Sequence, residues 1–167
     1  MKIQKLSLLA LILVFSFLIA KESESNWFKF DNGVAQSNKT EKPVLIDFYT
    51  DWCHWCDVMD EKTFSNPEVE EYLDNNFVKI RVNAEDKNTS HSFQGNNYNS
   101  VELARAFNVT GYPSIAFLDN NQQVITVIPG YIPADKFIKV LEYIEQECYK
   151  KQVSFEEYLN KGCEEEG

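Results

Sequence analysis

The sequence predicts an α/β protein in which short apolar strands alternate with helices. Three observations carry this reading. Val44 to Tyr49 is an apolar run that passes almost directly into Cys53-His54-Trp55-Cys56, the order of a buried strand, a sharp turn and a helix start. Ser114 to Leu118 and Val124 to Ile128 flank Asp119-Asn120-Asn121 and read as a hairpin. Residues 100–107 and 134–149 carry the apolar spacing of helices that cover a sheet.

In chain order, Lys2 and Lys5 precede an apolar run, Leu6 to Ala20, broken only by Ser7 and Ser16. Residues 1–25 therefore read as a secretory signal. The run is shorter than the about 20 apolar residues of a membrane span. Its cleavage site is poorly defined, because Ala20 is small but Leu18 is not, and an uncleaved segment would tether the protein to a membrane. Residues 26–150 are expected to form one domain and 151–167 a C-terminal helix with an acidic tail.

Trp27, Phe28 and Phe30 suggest a short edge strand or a segment packed on the core. Asp31 to Lys42 is polar and reads as one or two helical turns, ended by Pro43. Cys53 to Thr63 should be a helix with Val58 and Met59 facing inward. Asn66 is a good N-cap and Pro67 fits the first helical position, so a helix is expected to Asn75. Phe77 to Val82 alternates as a strand. Residues 83–100, rich in Asn, Ser and charge, read as a long surface loop. The helix from Ala134 to about Tyr149 has Phe137, Ile138, Leu141 and Ile144 as its apolar stripe. A last helix, Ser154 to Leu159, opens on the capping box Ser154-x-x-Glu157.

A net charge of −10 repels phosphate backbones and argues against a nucleic-acid partner. The four cysteines are Cys53, Cys56, Cys148 and Cys163. A Cys-x-x-Cys pair serves redox chemistry, half a zinc site or a static disulfide. Zinc would need two further ligands, and the only histidines are His54 and His91, so no metal is expected. A helix N-terminus stabilises a thiolate, the reactive form of cysteine, which makes Cys53 the candidate nucleophile. Cys56 lies one turn further on, within reach of a disulfide. Cys148 and Cys163 read either as a structural disulfide tying back the last helix or as two free thiols.

The element order, together with Trp52-Cys53-His54-Trp55-Cys56, Gly111-Tyr112-Pro113 and the upstream Asp47, resembles the thioredoxin superfamily over about Pro43 to Tyr149. The stretches Asp47 to Cys53 and Thr63 to Val69 are similar to its exported members. These include the C-terminal domain of transmembrane electron-carrier reductases and the thioredoxins of sulfur-oxidation clusters. The resemblance implies a thioredoxin fold, a central mixed β-sheet flanked by helices. It implies Cys53 as an exposed attacking thiolate, Cys56 as a buried resolving thiol and Pro113 as a cis proline facing the disulfide. It further implies Tyr112 as a backbone partner for an extended client, Trp52 as a shield, and Asp47 as the carboxylate that exchanges a proton with Cys56. Burying that carboxylate should raise its pKa.

His54 and Trp55 stand where ordinary thioredoxins have Gly-Pro. A cationic His54 would favour the Cys53 thiolate and an oxidising pair, whereas the likeness to exported reductases implies a reducing one. His54 and Trp55 are also candidates for client contact. The expected activity is exported thiol–disulfide exchange on protein clients, periplasmic or secreted, by a monomer without a cofactor. A dithiol donor, such as a membrane thiol reductase, would recharge it. A disulfide-donating oxidase, or a non-catalytic module that holds clients or metal, is the alternative.

Overall fold

The computed structural model describes residues 27–163. The signal reading of residues 1–25 and the acidic tail at Glu164 to Glu166 lie outside the described residues. No helix among the described residues is long and apolar enough to cross a membrane.

The centre is β1 (Val44–Tyr49), whose residues are buried up to its last position. It pairs in parallel with β2 (Val78–Asn83) and antiparallel with β5 (Ser114–Leu118), and β5 pairs antiparallel with β6 (Val124–Pro129). The result is a mixed four-stranded sheet in the order β2-β1-β5-β6. Alternation along β1 divides the interior into two apolar layers. Val44, Ile46 and Phe48 join one cluster, and Leu45 joins the other with Ile115 and Phe117 of β5.

Helix α1 (Phe30–Thr40) is longer than the one or two turns expected. Its buried face is Phe30, Gly33, Val34 and Ser37, a full helical stripe in which two positions are small rather than apolar. Gly33 is required there, since a Cβ would stand 2.3 Å from Ile80 Cγ1. Preceding α1, Phe28 bridges to Ile80 beside β2, and Trp27 meets Phe64 edge-on at 5.0 Å.

The redox-motif helix α2 (His54–Met59) runs into a wider π-turn, Asp60–Phe64. Helix α3 (Pro67–Asn76) follows, with the Asn66 side chain accepting from the N–H groups of Glu68 and Val69. The capping signal therefore sets this start as the sequence implies.

Residues 83–100 are not a surface loop. They contain a hairpin, β3 (Ser90–Phe93) and β4 (Asn96–Asn99), turning at Gln94 and Gly95, both with positive φ. His91 and Phe93 point inward while Ser90 and Ser92 are exposed. Phe93 packs against Phe107 at 4.9 Å and Phe30 at 5.8 Å. His91 bonds Ser100 Oγ at 2.8 Å. The Asp31 carboxylate accepts from the Ser92 N–H. Strands built of Ser, His and Asn lack the β-branched residues that announce a strand, so this hairpin was hidden.

Helix α4 (Ser100–Ala106) follows the hairpin with an Asn99–Glu102 capping box. Helix α5 (Ala134–Glu145) ends earlier than expected. Glu147 takes positive φ and a short 3₁₀ turn, Cys148–Lys151, replaces the last α-turn. Helix α6 (Phe155–Lys161) carries the expected Ser154–Glu157 capping box. It packs back on α5 through Tyr143 against Phe155 at 5.4 Å and Tyr158 at 5.5 Å. Cys148, fully buried, is bonded to Cys163 beyond α6.

Phe93→Ala is expected to cost about 3–5 kcal/mol, the usual range for a buried Phe, seen as a lower urea midpoint. A change within about 0.5 kcal/mol, the range of exposed loop positions, would remove the hairpin from the core.

Candidate active site

The strand pattern gathers four chain segments at one edge of the sheet. β1 and β2 end there in register, Tyr49 opposite Asn83. β5 begins and β6 ends there, Ser114 opposite Pro129. The segments that continue from those points are Thr50 to Cys53, Ala84–Glu85, Tyr112–Pro113 and Tyr131.

Cys53 and Cys56 form a disulfide. Cys53 is the N-cap of α2, and its Sγ accepts the Cys56 N–H at 3.1 Å. That N–H, which also donates to the Cys53 carbonyl at 3.0 Å, belongs to the first turn of the helix, and aimed at sulfur it lowers the energy of a thiolate. Cys56 is buried, 3 % exposed. The expectation of an exposed Cys53 is corrected, because in the disulfide it is only 5 % exposed. The flanking Trp52 and Trp55, 68 % and 55 % exposed, stand out instead.

Both tryptophans are held from behind. Trp52 donates its indole N–H to Glu85 at 2.9 Å and meets the Tyr112 ring edge-on at 6.2 Å. Trp55 stacks on Tyr131 at 5.7 Å with 29° between the planes. His54 is exposed, its ring tilted against Trp55 at 5.8 Å. No hydrogen bond joins His54 to either sulfur among the described residues. The Tyr112–Pro113 peptide is cis, and the Pro113 carbonyl accepts the Gly130 N–H at 2.7 Å.

Asp47 lies on the face of β1 that carries Leu45, and Leu45 shares an apolar cluster with Met59 of α2. Its carboxylate is 1 % exposed. Oδ2 accepts from Arg81 Nε at 3.0 Å, while Oδ1 has no hydrogen-bond partner. Arg81 is shared, since its Nη2 donates to both oxygens of Asp60 at 2.5 and 2.6 Å. The guanidinium also lies 4.8 Å from the Tyr49 ring and 5.4 Å from the Trp27 ring.

These contacts pull the Asp47 pKa in opposite directions. Burial raises it, the Arg81 charge lowers it, and repulsion from Asp60 raises it again, leaving it at about 7. Burial wins because Arg81 gives Asp47 one hydrogen bond and Asp60 two, and because Oδ1 is unsolvated. A carboxyl with that pKa changes protonation state near neutral pH. Arg81 and Asp60 were missed from sequence. The parallel pairing of β1 and β2 sets Arg81 opposite Asp47, and no spacing along the chain reveals it.

Among the described residues, no group of three His, Cys, Asp or Glu side chains could hold a metal ion.

Because the pKa of Asp47 rises from the ordinary 3.8 to about 7 on folding, the folded state holds a proton that the unfolded state has released between those values. The contribution is full below about pH 4 and is lost at about 1.4 kcal/mol per pH unit as pH rises to about 7. Asp47→Asn should remove this slope, measured as the difference from the parent protein in urea unfolding across pH. Arg81→Met is expected to raise the Asp47 pKa further and Asp60→Asn to lower it. A carboxyl-carbon NMR titration of Asp47 reads both, and shifts of the same sign would discount the sharing of Arg81.

The thioredoxin-like domain family matches residues 30–145. The chain is 31% identical over 101 residues to the thiol:disulfide interchange protein DsbD of Campylobacter jejuni, a match covering 60% of this chain and 16% of that protein. The chain thus spans a small part of the curated relatives it matches. Its fold is similar to a thioredoxin-fold protein from Helicobacter pylori, with TM-score 0.62, 23% identity and coverage of 83% and 85% of the two chains. The reduced C-terminal domain of Neisseria meningitidis DsbD gives TM-score 0.51 at 26% identity, covering 66% of this chain and 88% of that one.

Proposed function

Because the chain belongs to the thioredoxin-like domain family, we propose that it is an exported thiol–disulfide oxidoreductase that reduces disulfides in client proteins. The observation that carries this is a disulfide at a helix N-cap with a buried carboxylate of pKa about 7 on the strand that leads into it. A buried carboxyl with so raised a pKa on the strand before the disulfide supports a proton-transfer role. Likeness to a thiol:disulfide interchange protein supports the same chemistry.

The cycle begins from the dithiol. The Cys53 thiolate attacks one sulfur of the client disulfide, forming a mixed disulfide and releasing the other sulfur as a thiolate, which takes a proton. Asp47 accepts the proton of Cys56. The Cys56 thiolate attacks Cys53 Sγ, breaks the mixed disulfide and expels the second client thiolate. Two electrons pass to the client, and the protein is left with the Cys53–Cys56 disulfide. A dithiol donor, a membrane thiol reductase being our choice, restores it by the reverse exchange. Trp52, His54, Trp55, Tyr112 and Pro113 border the path of the client. Cys148–Cys163 takes no part in the cycle and ties the C-terminal segment to the 3₁₀ turn that follows α5. The basic and apolar residues 1–25 would direct export to a periplasmic or external space, where disulfides persist.

Equilibration with glutathione, in a Cys148→Ser/Cys163→Ser background, measures the potential of the pair. A value near about −270 mV fits a reductant, whereas one near about −120 mV would reverse the direction. No reversible couple would overturn the reading. Cys56→Ser should accumulate mixed disulfide with a client, and Cys53→Ser should form none, as read by non-reducing electrophoresis.

A further inference from the structure

Three asparagines begin the triplet Asn-x-Ser/Thr that an oligosaccharyltransferase reads: Asn38, Asn88 and Asn108. The redox chemistry uses none of them. Such short triplets also arise by chance, and the sequence alone does not choose among the three. The fold does, because the transferase must reach two side chains of one triplet together. The carboxamide is the group that becomes glycosylated, and the hydroxyl two residues on is part of what is recognised.

Asn38 lies in the last turn of α1, and its whole triplet is helical. Side chains two residues apart on a helix do not face each other. Both ends of this triplet are also engaged. Asn38 Oδ1 accepts from Gln122 Nε2 at 3.3 Å, and Thr40 Oγ1 donates to the Gln36 carbonyl at 3.0 Å. Asn108 follows α4 with a φ of 56°. Its N–H donates to the Arg105 carbonyl and the Val109 N–H to the Ala104 carbonyl, both at 2.9 Å. Val109 packs against the apolar layer that holds Phe48 and Phe107. Presenting this triplet would mean unwinding the helix end and drawing Val109 off the core.

Asn88 stands differently. It lies in the turn between β2 and β3, where residues 87–90 are all exposed. Asp86 organises this turn. Its Oδ1 accepts the N–H groups of Asn88 at 2.8 Å and Thr89 at 3.3 Å, and its Oδ2 accepts the Thr89 hydroxyl. The Asp86 carbonyl accepts the Ser100 N–H at 3.1 Å, which ties the turn to the start of α4. The middle hydroxyl is thereby occupied. The Asn88 carboxamide and the Ser90 hydroxyl have no hydrogen-bond partner among the described residues. Ser90 opens β3 on its solvent side, away from the face of His91 and Phe93.

We propose that Asn88 is a glycan acceptor, modified in the folded, exported protein, and that the fold withholds Asn38 and Asn108 from the same reaction. The donor is an oligosaccharide carried on a polyprenyl diphosphate. Asn88 Nδ2 bonds to the anomeric carbon of the first sugar. The bond from that carbon to the diphosphate oxygen breaks, and the polyprenyl diphosphate leaves with the electron pair. One amide proton is released, and nothing is oxidised or reduced. The proposal goes beyond the redox reading and uses only its premise that residues 1–25 direct export.

The test is mass spectrometry of the whole protein recovered from fractionated cells of its own host, followed by analysis of its proteolytic peptides. The exported protein should carry one glycan, on the peptide that contains Asn88. Asn88→Gln should lose the whole mass shift. Ser90→Ala should lose it too, although the carboxamide is still present, whereas Ser90→Thr should keep it. Asn38→Gln and Asn108→Gln should both keep it. An exported protein unmodified at Asn88, a glycan on Asn38 or Asn108, or a mass shift that survives in Ser90→Ala would overturn the proposal and leave the redox reading standing. Protein found only in the cytoplasm would overturn the export premise and this proposal together, while the potential of the Cys53–Cys56 pair would still test the chemistry.

Discussion

The pairing of β1 between a parallel and an antiparallel neighbour is the constraint on which this molecule depends. With β2 parallel and β5 antiparallel to it, the end of β1 coincides with the end of β2, the start of β5 and the end of β6. Residues far apart in the chain then meet at one sheet edge. Cys53, Glu85, Tyr112, Pro113 and Tyr131 follow or precede four different strands, yet they form one surface. Shifting β1 by a single residue would turn Asp47 to the opposite layer and Phe48 toward α2. The fully buried apolar residues on both faces prevent such a slip.

Against this apolar background Asp47 is an expensive residue. Its carboxylate is buried, one oxygen lacks a partner, and the cation beside it is divided with Asp60. A bidentate Arg81–Asp47 pair would have been the more stable arrangement and would have held the carboxylate ionised. The observed sharing leaves the proton affinity near neutrality. Asp60 occupies the point where α2 widens into a π-turn, and such turns are frequent at functional sites because they re-aim side chains. The rings of Trp27 and Tyr49 both lie against the guanidinium. The segment before α1 is thus tied to the same electrostatic unit as the disulfide.

Small residues and local turns build the rest of the frame. Gly33 and Ser37 bring α1 close to β2, with Ser37 Oγ donating to the Lys42 carbonyl. The β3–β4 hairpin inserts Phe93 between Phe30 and Phe107 and so completes one apolar layer. The C-terminal segment does the corresponding work on the other layer, where Phe155 and Tyr158 cover Tyr143 and the Cys148–Cys163 bond closes the segment.

The sequence by itself determined the elements whose signals are local. The apolar run of β1, the Asn66-Pro67 and Ser154-x-x-Glu157 starts, and the hairpin around Asp119 are written within a few residues of where they act. The Cys53–Cys56 pair was legible for the same reason, whereas Asp47 and Gly111-Tyr112-Pro113 were singled out through the resemblance to a family. Only the tertiary structure decided what depends on pairing across the chain. Arg81 reaches Asp47 because two strands run in register, and Tyr131 reaches Trp55 because β6 ends beside β5. The 83–100 hairpin and the full length of α1 escaped because their buried positions use His, Gly and Ser. Apolar periodicity is silent there, and packing against Phe30, Ile80 and Phe107 supplies the order instead.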